Sequence, residues 1–223
     1  MAAKLLHWLK LPLADTRTSS DAQHEPGESA LGLVATIRTL IAELYTVHPD
    51  VDADHITHAL QQIVQDVRAA QTIEGHQPYS VRRTRNPMNG LMNPIAPPLT
   101  VELLEDKVIG RVRFGISYEG PPNCVHGGIV AAALDEVLGR TRHLAGRNVV
   151  TGSLAVRYLA PTPVNVDLVV EAYIAERTET KMIVRGEMRH GDTVTASAEG
   201  VFVFMDLDRF TTLVKDARKA ATQ

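Results

Sequence analysis

A single cysteine, Cys124, stands in 223 residues. No intrachain disulfide can form, and the chain suits a reducing compartment, with the cytoplasm the expected location. Long uncharged runs are missing as well: beyond the first residues, no stretch reaches the length a membrane-spanning helix needs, so no integral membrane association is expected. An excess of one charge sign is also absent. With 23 basic and 26 acidic side chains, a net charge of -3, nothing suggests nucleic acid as a partner. What remains is an ordinary globular composition, 44% hydrophobic, enough for one domain with an appendage.

The opening residues, MAAKLLHWLKLPLA, carry an apolar patch broken by Lys4, His7 and Lys10. It is too short and too interrupted for a signal peptide or a span, and reads as a frayed amphipathic tail or a membrane-surface helix. Residues 1–28 form a tail and linker in this reading, 29–75 a helical hairpin, 76–208 the main domain and 209–223 a tail or short helix. In the hairpin, Leu33, Ile37, Leu40, Ile41 and Leu44 repeat at helical spacing, as do Ile56, Leu60, Ile63, Val64 and Val67. Asp52 or Asp54 is the expected cap of the second helix. The apolar faces need cover, from each other or from the main domain. His55 and His58, one turn apart, lack a third ligand at convincing spacing and read as solvent-facing. Arg82, Arg83 and Arg85 fall in an extended connection and read as a solvated edge.

From Leu99 onward strand patterns take over. Val101–Leu104 and Val108–Tyr118 flank a charged turn, and Val149–Leu159, Val166–Glu176, Lys181–Arg189 and Val194–Met205 follow. His190, Gly191 and Asp192 form the expected last hairpin turn. Six strands and one long apolar helix make an α+β layer.

That helix lies in GPPNCVHGGIVAAALDEVLG, residues 120–139. Pro121 and Pro122 stop what precedes, Gly127 and Gly128 can open a helix with bare N–H groups, and such groups bind anions. Asp135 sits in the apolar run, where a carboxylate is costly unless it is protonated or finds donors. Eight residues from Gly127 to Asp135 span roughly 12 Å of helix. With the side chain leaning back, about 8 Å still separates the carboxylate from the Gly127 N–H. If both act on one carbonyl, the simplest arrangement takes them from two copies of the chain across a symmetric dimer. Cys124 beside His126 invites a Cys/His nucleophile, but Asp135 is the better-placed group and a lone cysteine is commonly a small buried hydrophobe.

His126, Gly127, Gly128 and Asp135 resemble the HGG(x6)D signature of hotdog-fold acyl-CoA thioesterases, and the GPP(xx)VHGG lead-in is similar to the THEM4 and PaaI-type branch. Thr151, opening TGSLAVRYLAPTP, and the stretch NPIAPPL from Asn93 to Leu99 resemble that branch's strand after the helix and its opening strand. The resemblance covers about residues 88–206. It implies a hotdog fold, an antiparallel sheet of about six strands wrapped around one long central helix, preceded here by the N-terminal helical hairpin.

The resemblance also assigns roles. Gly127, alone or together with Gly128, becomes the oxyanion donor, with His126 bracing the turn. Asp135 becomes nucleophile or general base, and Thr151 orients the water or the carboxylate. Glu136, about 100° further round the helix, reads as structural or as a supporting group. Arg157, Lys181 and Arg185 are the implied contacts for coenzyme A, although Leu159 and Ala160 stand where related chains tend to carry basic residues. No cofactor is implied, coenzyme A entering as part of the substrate, and no metal. The expected protein is a homodimer or dimer of dimers that hydrolyses fatty or aromatic acyl-CoA. A hotdog hydratase would need a histidine soon after Asn93-Pro94, where Ile95-Ala96 stands. A non-catalytic acyl-CoA-binding or regulatory protein, acting through the hairpin, is the alternative.

Overall fold

The computed structural model describes residues 26–48, 50–71, 84, 86–206, 212–213, 215–216 and 219–220. The apolar patch at 1–14, Pro49, the connection 72–83 and Arg82, Arg83 and Arg85 lie outside the described residues. The described chain divides into two compact units, one running to Ile95 and one starting at Ala96.

In the first unit, α1 covers Glu28–Leu44 and α2 covers Ala53–Gln71. Asp52 caps α2, its Oδ1 accepting from the His55 N–H at 2.9 Å, which satisfies one donor the helix ladder leaves open. Segment 86–95 is a set of turns: Asn86 Oδ1 accepts from Met88 N at 2.7 Å, and Arg38 of α1 donates to the Asn93 carbonyl at 3.0 Å. Part of the apolar stripe of α2 is exposed. Ile63, Val64 and Val67 are 51%, 47% and 42% exposed.

In the second unit, β1 (Thr100–Leu103), β2 (Lys107–Val112), β3 (Val149–Tyr158), β4 (Leu168–Arg177), β5 (Lys181–His190) and β6 (Thr193–Phe204) form one sheet. Its order is β1-β2-β4-β5-β6-β3, every pairing antiparallel. Alternation decides the faces. Val108, Val112, Leu168, Val170, Ala172, Met182, Val184, Met188, Ala196, Ala198 and Phe202 are buried on one side, and α3 (Gly127–Arg140) lies across that side against β2 to β6. A short helix α4, Arg142–Ala145, follows it. From α3, Val130, Ala133, Leu134, Val137 and Leu138 enter the core, where each large side chain contributes about 1.5–3 kcal/mol. Close approach is needed at Gly110 and Gly186, where a Cβ would stand 2.6 Å from Val137 and 2.7 Å from Leu138. This is the hotdog arrangement.

Three sequence expectations differ from the structure. Asn93 to Leu99 is a run of turns, with the first strand starting at Thr100; Pro94, Pro97 and Pro98 supply no N–H for a ladder. The strand expected over Val108–Tyr118 stops at Val112, opposite Leu168. Beyond it, Ile116–Tyr118 turns as a 3-10 helix with Tyr118 N bonded to Gly115 O at 3.1 Å. Phe114 is fully buried there and packs edge-to-face on Tyr118 at 5.6 Å. In the last hairpin, His190 pairs with Thr193 as a strand residue. The turn is Gly191-Asp192, with Gly191 at φ +54°, a conformation that glycine adopts without strain.

Candidate active site

The loop before α3 is a tight turn. Gly120 N bonds to Cys124 O at 2.9 Å, Cys124 N to Pro121 O at 2.9 Å, and His126 N to Tyr118 O at 2.9 Å. Asn123, at φ +59°, donates its backbone N–H to the Glu119 carboxylate. A Cβ on Gly120 would meet His126 Cα at 2.8 Å, so only glycine lets the turn close this far. Half-buried Cys124 belongs to that turn through its backbone bonds.

His126 is the N-cap of α3, its Nδ1 accepting from Gly128 N at 3.0 Å. This bond requires the neutral ring to carry its proton on Nε2. The Gly128 N–H is therefore engaged within the chain. The His126 carbonyl accepts from Ile129 N at 2.9 Å and Val130 N at 3.1 Å. Among the described residues nothing accepts from the Gly127 N–H. It is a free donor at a helix start, where the helix dipole favours negative charge.

Two turns on, Asp135 is half-buried, and its Oδ1 accepts from Thr151 Oγ1 at 3.1 Å. Burial raises its pKa above the ordinary carboxylate value; the Thr151 bond pulls it down, and the neighbouring Glu136 charge pushes it up again. Glu136 pairs with Arg140 at 2.7 Å. That guanidinium limits the carboxylate charge beside Asp135.

One contributor was not legible in the sequence. Tyr158, the last residue of β3, donates its hydroxyl to the Gly127 carbonyl at 2.9 Å. Its ring stands 3.4 Å from where a Gly127 Cβ would be. Thr151 and Tyr158 are seven residues apart, so strict alternation would put them on opposite faces. The register shift between Thr151 and Ser153 is a bulge that returns both to the helix side.

Arg157, Lys181 and Arg185 are not brought to this cleft within one chain. Their strand neighbours Val156, Met182 and Val184 point toward the helix, so these three cations occupy the opposite face of the sheet. There Arg185 pairs with Glu199 at 2.7 Å, and Arg157 and Arg185 help line a depression of about 630 Å³ with Tyr173, Glu171 and Glu199. That depression lies across the sheet from Asp135 and is not the site of its chemistry. No group of three or more His, Cys, Asp or Glu residues able to hold a metal exists among the described residues. No helix among them is long and apolar enough to cross a membrane.

Comparison with known proteins converges on this region. Residues 123–197 match the thioesterase superfamily, a segment containing His126, Gly127, Gly128, Asp135, Thr151, Arg157, Lys181 and Arg185. Acyl-coenzyme A thioesterase THEM5 of Homo sapiens is 33% identical over 96 residues, 42% of this chain and 39% of that protein. THEM5 of Mus musculus is 30% identical over 106 residues, 47% of this chain and 43% of that one. The chain thus spans about two fifths of the length of these curated relatives. A crystal structure of a thioesterase superfamily protein matches with a TM-score of 0.72 at 27% identity, over 81% of this chain and 97% of that one.

Proposed function

We propose that the chain, whose residues 123–197 match the thioesterase superfamily, hydrolyses acyl-CoA thioesters, releasing free acid and CoA. The observation that carries this reading is one helix bearing an unengaged N–H at its start, on Gly127, and a half-buried, Thr151-bonded carboxylate two turns later, on Asp135. Similarity to acyl-coenzyme A thioesterases supports the substrate class.

In this mechanism the thioester oxygen sits at the Gly127 N–H. Attack at carbon moves the carbonyl electron pair onto oxygen, and the N–H and helix dipole stabilise that charge; losing one such donor costs about 3 kcal/mol. Asp135 either attacks, giving an acyl anhydride that water opens, or takes a proton from the attacking water. In both routes the C–S bond breaks as the tetrahedral species collapses, and CoA leaves as thiol once protonated. Thr151 aims the carboxylate. His126 caps the helix and leaves catalysis to its neighbours.

The roughly 12 Å of helix between Gly127 and Asp135 supports a reading in which the two groups serve different clefts. Gly127 of one copy then works with Asp135 of the other. Among the described residues β3 is an edge strand with β6 as its one neighbour, and pairing with its own copy would join two sheets and remove that edge. Arg157, Lys181 and Arg185, on the far face, reach coenzyme A phosphates only where the assembly brings that face to a neighbour's cleft. The functional test is CoA release from a panel of fatty and aromatic acyl-CoA esters. A second reading, an acyl-CoA-binding protein that recruits a partner, draws on the open stripe of α2; it requires binding without CoA release.

A further inference from the structure

We infer that Tyr158 is a positioning residue for the Gly127 N–H; the inference rests on that N–H serving the thioester oxygen. Glycine has the widest backbone freedom of any residue, and Gly127 stands at the first position of α3, where a helix frays most readily. A donor that must meet charge developing on one oxygen needs its peptide plane fixed beforehand.

Four contacts fix it. The peptide joining His126 to Gly127 is held by its carbonyl, which accepts from Ile129 N and Val130 N. The next peptide, Gly127 to Gly128, is held at both ends: His126 Nδ1 takes its N–H at 3.0 Å and Tyr158 Oη donates to its carbonyl at 2.9 Å. The ring then stands 3.4 Å from where a Gly127 Cβ would be. With both peptides flanking Gly127 clamped, the direction of its N–H is set.

Packing does not account for this tyrosine. Tyr158 is 56% exposed, so it adds little to the core. Its hydroxyl goes to a carbonyl that the α-helical ladder already engages. The bulge at Gly152 directs it. Without that extra residue Tyr158 would point to the outer face, while Thr151 would still reach Asp135. One edge strand therefore holds both reacting ends of α3, Thr151 at the carboxylate and Tyr158 at the donor.

Tyr158→Phe keeps the ring and deletes the hydroxyl. The expected result is a kcat about 5-fold lower with KM for acyl-CoA within about 2-fold, and a melting temperature within about 2 °C of the parent. An unchanged kcat, or a kcat loss matched by a large fall in melting temperature, overturns the inference. A second readout is independent of turnover: the backbone ¹⁵N heteronuclear NOE of Gly127 falls in Tyr158→Phe while that of Val130 does not. If the parent protein releases no CoA, the proposed activity fails and this NOE still decides the positioning role, an unchanged Gly127 value overturning it.

Discussion

Gly127→Ala separates the chemical role of the glycine from its place in the fold. A methyl group built there meets Tyr158 Cε1, Cζ and Oη at 3.4 Å, ordinary contact that nothing need move to relieve. Alanine is also the better helix residue, by up to about 1 kcal/mol. The variant is therefore expected to melt within about 3 °C of the parent, on either side. Its methyl occupies space that the approaching thioester needs, and displacing the oxygen from the donor forfeits about 3 kcal/mol, or on the order of 10²-fold in kcat. The assay is CoA thiol release by purified protein, beside a thermal melt. Gly186→Ala is the contrast: its methyl would lie 2.7 Å from both the Glu171 carbonyl and Leu138 Cδ1, so that variant loses activity by losing stability. Full turnover in a normally folded Gly127→Ala protein would refute the placement of the oxyanion.

Other expectations concern Asp135. Since burial raises its pKa, the ionised form needed for attack is lost on acidification earlier than for an ordinary carboxylate; Thr151→Val removes the contact that opposes this, so the acid limb of a kcat/KM profile shifts to higher pH. A raised native pKa also means that folding is favoured by protonation and that this contribution is lost as pH rises through the folded value. Asp135→Asn, which keeps an acceptor for Thr151, therefore melts higher than the parent at neutral pH, the difference shrinking in melts at lower pH. For the two-copy site, Asp135→Asn mixed with Gly127→Val restores partial turnover in verified heterodimers, up to about a quarter of the parent value if subunits mix freely; no rescue there contradicts shared clefts.

Much of this architecture was legible because two periodicities carry it. Apolar alternation marked β4, and the Gly-opened run with its stray acid marked α3. The same alternation, followed through Met182, Val184 and Met188, already puts Lys181 and Arg185 on the face away from that acid; a resemblance assigning them to coenzyme A gives no face. Val108–Tyr118 misled because Phe114 and Tyr118 are apolar and β-prone, yet they pack on each other around a turn. Tyr158 was hidden for a different reason. Its face depends on the bulge at Gly152, and a single glycine in a strand does not announce a parity change. The open stripe on α2 was equally out of reach, since periodicity shows that a face is apolar without showing what covers it.

The proposed function turns on Asp135 as the group that performs thioester hydrolysis in this chain. The most direct measurement is CoA release across acyl-CoA chain lengths by the parent protein and by Asp135→Asn at equal, verified foldedness. Turnover by the parent and a loss of about 10²-fold or more in the variant are expected. No release by the parent from any ester, or an undiminished rate in Asp135→Asn, would contradict that role.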